Sequence, residues 1–274
     1  MKQLSPIAAL PVVFLVAAAA FEVLRVVVML VLLLGLLATL ARRRDRADGP
    51  SRAAILAWAG CLVATVNMAW DSLGLPASVF LATNCADLLS PFALLRAAGA
   101  VVVLTCVVLV LRLVRAAPSE IGLRWPSRAW VIVSLAALPA IGTAAALIGP
   151  PLAEPFFGPV PSAAADPRAL LPALVFAIAN SVMEEAAYRG ALLRWLTPSI
   201  GLLSALALQA AVFGLAHGVG SDFVGSPLPV MAATAAAGLV LGALAIRTNS
   251  LLLPIAVHIA LDIPVYYGKV CAAT

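Results

Sequence analysis

Charge is scarce in this 274-residue chain: Asp, Glu, Lys and Arg together make up 11% of it, and aromatic residues 6%. With 64% apolar residues and a mean hydropathy of +1.11, there is too little polar surface to close a water-soluble globule, so a soluble fold is excluded. No sizeable polar stretch remains for a soluble domain. Cysteine is limited to four positions, Cys61, Cys85, Cys106 and Cys271, with no close spacing between any two, so neither a disulfide framework nor a zinc site is expected. The ending Cys271-Ala272-Ala273-Thr274 fits the loose C-a-a-X pattern. Because arginine far outnumbers lysine and alanine is abundant, as in a GC-rich bacterial genome where prenylation is not expected, that match reads as chance.

What the chain does have is long apolar runs. A lipid-spanning helix takes about 20 such residues, so the length accommodates roughly seven or eight spans. Eight stretches qualify: residues 7–41, 53–75, 91–114, 129–148, 169–196, 200–216, 228–246 and 251–267. The connectors carry breakers such as Gly74, Pro76, Pro118, Pro126, Pro198, Gly225, Pro227 and Asn249. The expected fold is therefore all-α, a polytopic transmembrane bundle of about eight spans. The stretch 7–41 is too long for one plain span and holds Glu22 and Arg25 near its middle; it is either a signal peptide ending in the alanine run at Ala20 or a long tilted or interfacial helix leading into a span.

The net charge of +5 does not imply nucleic acid, because Arg42, Arg43, Arg44, Arg46, Arg52, Arg112, Arg115, Arg124 and Arg128 fall in two short connectors. That is the positive-inside pattern, which places both connectors, with Arg194 and Arg247, on the cytoplasmic side of a bacterial inner membrane, in contact with anionic lipid. The proline-rich segment from Pro150 to Pro167 becomes the main extracytoplasmic loop. Gly238 and Gly242, extended by Ala235 and Ala243, form a smooth small-residue face for close helix packing.

A charge at the bilayer centre costs at least about 2.5 kcal/mol, so intramembrane ionisable groups need a reason. In the C-terminal half these are Glu184, Glu185, Arg189, His217, His258 and Asp262, and they include both histidines of the chain. Adjacent glutamates point about 100° apart on a helix and cannot do the same job. Glu185 has Arg189 at i+4, which neutralises that pair and leaves Glu184 to face a cavity with Asn180 at i−4. His258 and Asp262 repeat the i, i+4 spacing, which lets the carboxylate fix the imidazole tautomer. Phe213 and His217 share a face in the same way. A buried carboxylate beside imidazoles suits hydrolysis: it takes a proton from water while the histidines stabilise an oxyanion or bind a metal.

These residues carry a resemblance. Glu184-Glu185-Ala186-Ala187-Tyr188-Arg189 resembles the E-E-x-x-x-R signature of the CAAX prenyl protease and bacteriocin-processing (CPBP) family. Phe213 through His217 resembles its F-x-x-x-H, and His258 through Asp262 its H-x-x-x-N/D; Glu120 through Arg124 and Gly238 through Pro254 resemble its flanks. The resemblance implies a protease core over 118–270 behind undiagnostic N-terminal helices over 1–117, with a cavity open toward the cytoplasm. It implies an intramembrane endopeptidase acting on a membrane-associated or lipid-anchored protein, in which Glu184 with His217 activates water and His258 with residue 262 stabilises the oxyanion. Zinc or another divalent metal and a metal-free mechanism are both open. Asp262 departs from the frequent asparagine, and an ionised carboxylate cannot donate as an amide does. A catalytically silent scaffold or immunity protein of the same fold, and an ion-coupled transporter, remain the alternative readings. Depth is a further constraint, since Glu184 lies roughly 20 Å and His217 roughly 28 Å along their helices from Pro198.

Overall fold

A computed structural model of the chain describes residues 6–42, 50–72, 85–87, 90–157, 167–219 and 226–271. Its described residues form helices and no strands: α1 (Pro6–Ala20), α2 (Arg25–Arg42), α3 (Pro50–Ser72), α4 (Pro91–Leu113), α5 (Arg128–Phe157), α6 (Leu170–Glu184), α7 (Leu193–Ile200), α8 (Leu202–Gly218), α9 (Leu228–Thr248) and α10 (Leu252–Tyr266). Five stretches are long and apolar enough to cross a membrane, Glu22–Arg42, Ser51–Trp70, Pro91–Leu113, Pro167–Ile200 and Leu228–Thr248, and shorter apolar helices accompany them. The chain is an all-α polytopic bundle.

The stretch 7–41 is not one helix. It breaks at Phe21, whose extended backbone separates α1 from a short 3-10 turn, Glu22–Leu24, that leads into α2. The two charged residues of the run sit at this break, where the chain reverses and polar groups can find partners. Leu15, Ala18 and Ala19 on α1 are fully buried and share one core with Leu32, Trp58, Val107, Leu192 and Phe213. The segment considered above as a signal peptide is thus packed into the bundle.

The proline-rich loop is shorter than expected. Helix α5 runs on through Pro150, Pro151 and Pro155 to Phe157. Each of these prolines, like Pro139 in mid-helix, removes one internal hydrogen bond, yet the apolar run carries the helix past them. Residues 158–166, with Pro159, Pro161 and Asp166, lie outside the described residues, as do Gly74, Pro76, Gly225 and the arginines at 43, 44 and 46.

One end of the bundle is basic and tightly pinned. Glu120 caps the amide of Ala117 at 2.9 Å and pairs with Arg52 at 2.9 Å. Gly122, at φ +80°, turns the chain so that its carbonyl accepts from Leu251 N, while Arg194 packs where a Cβ would stand. Arg124 and Arg194 both reach the α9 C-terminus, on the Asn249 carbonyl (2.8 Å) and side chain (3.0 Å), where cations complement exposed carbonyls. The Glu120–Arg124 motif therefore locks the α9–α10 turn.

The other end holds a disulfide between Cys85 and Cys271, 186 residues apart, with Cα atoms 5.0 Å from each other. This corrects the expectation that the cysteines stay unpaired: helix packing brings together what sequence spacing hides. Tyr266 donates to the Cys85 carbonyl at 2.9 Å beside it. With its sulfur in this bond, Cys271 is not a prenylation acceptor, and residues 272–274 lie outside the described residues.

Helices α8 and α9 pack most closely. A Cβ on Gly214 would lie 2.5 Å from the Met231 carbonyl, and one on Gly238 3.1 Å from Ala210 Cα. The small-residue face of α9 fits against α8, the helix that carries Phe213 and His217.

Candidate active site

Helix α6 passes into a π-helical segment, Glu185–Leu192, in which every residue is buried, and continues as α7. Such segments are rare and recur at functional sites. Small residues make the burial feasible: Ala186, Ala187, Gly190 and Ala191 let α3 and the Ile121 turn approach, a Cβ on Gly190 lying 3.2 Å from Ile121 O.

Glu185 and Arg189 pair across one turn of this segment, Oε1 to Nη1 at 2.9 Å, both fully buried. The guanidinium also lies 4.2 Å from the centre of the Phe213 ring, so its charge is met by a carboxylate and an aromatic face. Glu185 Oε1 has a second partner, His258 Nδ1 at 2.8 Å. The expected arrangement, with Asp262 fixing the His258 tautomer, is not what is found. The Nδ1 hydrogen goes to Glu185, and Asp262 turns its Oδ2 to Asn180 Nδ2 (3.1 Å) and Ser181 Oγ (3.0 Å) on α6. A residue four positions along the helix is held off by these two donors, while an acid from a neighbouring helix meets the imidazole squarely.

With Nδ1 so engaged, the other imidazole nitrogen addresses the site. His258 Nε2 lies 3.6 Å from Glu184 Oε2 and 3.6 Å from Asp262 Oδ1. The structure thus brings Glu184, Glu185, Arg189, His258 and Asp262 into one cluster, with Glu184 3% and His258 6% exposed. His217 joins it through Phe213. The Phe213 ring centre is 4.4 Å from the His217 ring and 6.2 Å from the His258 ring. His217 Nδ1 meets the Phe213 carbonyl at 2.7 Å; a carbonyl only accepts, so Nδ1 carries a hydrogen and Nε2 is the nitrogen through which this residue can act on another group. His217 is only half-buried. Helix α8 begins directly after Gly201, whose φ of +84° allows a sharp reversal after α7.

Ser181 belongs to the site and carries no signal in the sequence beyond its place beside Asn180. Arg96, one of two arginines in α4 with Arg112, lies near enough to act electrostatically on Asp262. Among the described residues no three or more His, Cys, Asp or Glu side chains are arranged to hold a metal ion.

A family model described as type II CAAX prenyl endopeptidase, Rce1-like, matches residues 166–264, a segment that contains all of these acidic and imidazole groups. Over this segment the chain is similar to the CAAX-type intramembrane proteases, which supports the CPBP resemblance of its motifs. Helices α1 to α4 lie outside the match. No curated protein and no solved structure matches the chain.

Proposed function

We propose that this protein is an intramembrane endopeptidase that hydrolyses a peptide bond in a membrane-associated or lipid-anchored protein, using water activated by Glu184 and no metal. The observation that carries the proposal is the meeting of Glu184, His258 and Asp262 around one imidazole nitrogen, 3.6 Å from each carboxylate, inside the family-matched segment.

Glu184 takes a proton from water as the water oxygen bonds to the scissile carbonyl carbon. His258, doubly protonated among the carboxylates and oriented by Glu185 through Nδ1, donates its Nε2 hydrogen to the developing oxyanion. Collapse of the tetrahedral species breaks the C–N bond, and the proton on Glu184 passes to the leaving amine. Arg189 pairs with Glu185 and holds it in place as the orienting partner, so the two adjacent glutamates have distinct roles. His217 acts through Nε2 in placing the water or the substrate carbonyl.

The orientation follows from charge and redox chemistry. The basic end, with Arg52, Arg124 and Arg194, faces the cytoplasm, and the Cys85–Cys271 disulfide faces the oxidising side. The host membrane is then a bacterial inner membrane.

The test is cleavage of a lipidated and non-lipidated peptide library by the purified protein in proteoliposomes. Parent activity lost by about 10²-fold or more in a folded Glu184→Gln variant supports the reading. Equal cleavage by parent and variant overturns it and favours a silent scaffold of the same fold.

A further inference from the structure

Arg25 is the buried charge the mechanism leaves unused. It is 2% exposed, although it lies in the apolar stretch 7–41. Its guanidinium donates to Ala18 O on α1 (3.3 Å), to Met68 O (3.2 Å) and Ser72 Oγ (2.9 Å) on α3, and reaches Ala216 O at the end of α8 (3.4 Å). A cation inside a membrane bundle is commonly held by backbone carbonyls, and here it gathers them from three helices.

The last of these contacts is the informative one. Ala216 immediately precedes His217, in the final turn of α8, where carbonyls have no partner one turn further on. A cation placed there satisfies an orphan acceptor and sits at the negative end of the helix dipole. Such terminal turns fray, yet His217 has to hold its ring against Phe213 at 4.4 Å with Nδ1 on the Phe213 carbonyl. The other contacts of Arg25 belong to α1 and α3, so its head is fixed independently of α8 and serves as a peg for that turn.

We propose that Arg25 is a positioning residue for His217: by holding the Ala216 carbonyl it fixes the last turn of α8 and the direction of the His217 Nε2. This rests on the peptidase reading for its catalytic meaning, but not for its geometry. It also gives the N-terminal hairpin, which lies outside the family-matched residues, a part in the site.

The chain has only two histidines, so a [15N-His]-labelled sample in micelles yields two imidazole spin systems, assigned by loss of one in His217→Gln. In Arg25→Met the His217 ring resonances shift and broaden while those of His258 stay in place. In the same variant kcat falls by about tenfold to a hundredfold, the scale of a misplaced catalytic group, with KM unchanged. Arg25→Lys, which keeps the charge and a donor, restores most of both. Ser72→Ala removes one anchor of the guanidinium without touching α8 and gives a smaller shift in the same direction, which keeps the test available if Arg25→Met does not fold. His217 resonances that coincide with the parent in Arg25→Met, or in Ser72→Ala where that is the only folded variant, overturn the proposal. So does equal movement of both histidines, or a Lys variant no better than Met. If His217 responds as described but Glu184→Gln cleaves as fast as the parent, the peptidase reading fails and the positioning role stands.

Discussion

His258 Nδ1 lies 2.8 Å from Glu185 Oε1, joining the start of the π-helical segment to the middle of α10 across 73 positions of sequence. The same carboxylate oxygen neutralises Arg189. One buried acid therefore does two things at once: it balances a guanidinium that would otherwise be stranded in the core, and by taking the Nδ1 hydrogen it turns Nε2 of the imidazole toward the site.

Glu185→Gln is accordingly a stability variant before it is an activity variant. The amide oxygen still accepts from one partner, but it leaves Arg189 unbalanced in a fully buried position, and breaking a buried pair costs about 3–5 kcal/mol. The purified variant shows a clear fall in Tm and poor accumulation in membranes, whereas Glu184→Gln, which leaves the Glu185–Arg189 pair in place, keeps the parent Tm and loses turnover. Equal Tm values for both variants contradict the division of labour between the two glutamates.

Asp262 offers a gain rather than a loss. Its Oδ2 accepts from Asn180 and Ser181, and an asparagine keeps that acceptor while turning an NH2 group toward the His258 side, where the carboxylate Oδ1 now sits at 3.6 Å. An amide donates to an oxyanion and a carboxylate does not. Asp262→Asn raises kcat several-fold in the peptide assay, at roughly the scale of one added neutral donor, about 1 kcal/mol. A tenfold fall instead assigns Asp262 a role as a charge, and Ser181→Ala then shows a related loss.

Dialysis against a strong chelator leaves cleavage unchanged. The expectation follows from the proposed activation of water by Glu184 alone; among the described residues no group of three His, Cys, Asp or Glu side chains has the geometry to hold a metal ion. A loss of turnover that zinc restores transfers the activation of water from Glu184 alone to a bound cation.

How much of this was legible in the sequence depends on the range of the interaction. The all-α membrane bundle follows from composition and apolar run length, and the Glu185–Arg189 pair from the i, i+4 rule, because both are local. The break at Phe21, the course of α5 through Pro150, Pro151 and Pro155, and the partner of His258 are decided by what neighbouring helices present, which no spacing within one helix reveals. Asp262 and His258 show the limit well. They have the right separation to bond, yet Asn180 and Ser181 from α6 outcompete the imidazole for one carboxylate oxygen. Arg25 and Arg96 reach the site region from α2 and α4, in the N-terminal half, where no spacing relates them to the C-terminal motifs.

The Cys85–Cys271 bond is the most direct check on orientation. Thiols stay reduced in the cytoplasm and oxidise outside it, so the proposed orientation requires the disulfide at the end of the bundle opposite Arg52, Arg124 and Arg194 to form on the oxidising side. Protein isolated without reductant, denatured and alkylated with a maleimide takes up label at Cys61 and Cys106 only, the two cysteines left unpaired, and at all four positions after reduction. Because Cys271 is used in this bond, Cys271→Ser neither changes membrane association nor removes a lipid from the intact mass. Expression in cells lacking periplasmic thiol oxidation gives four labelled cysteines without reductant. Four labelled cysteines in protein from oxidising cells instead place this end in the cytoplasm and reverse the topology argued from the arginines.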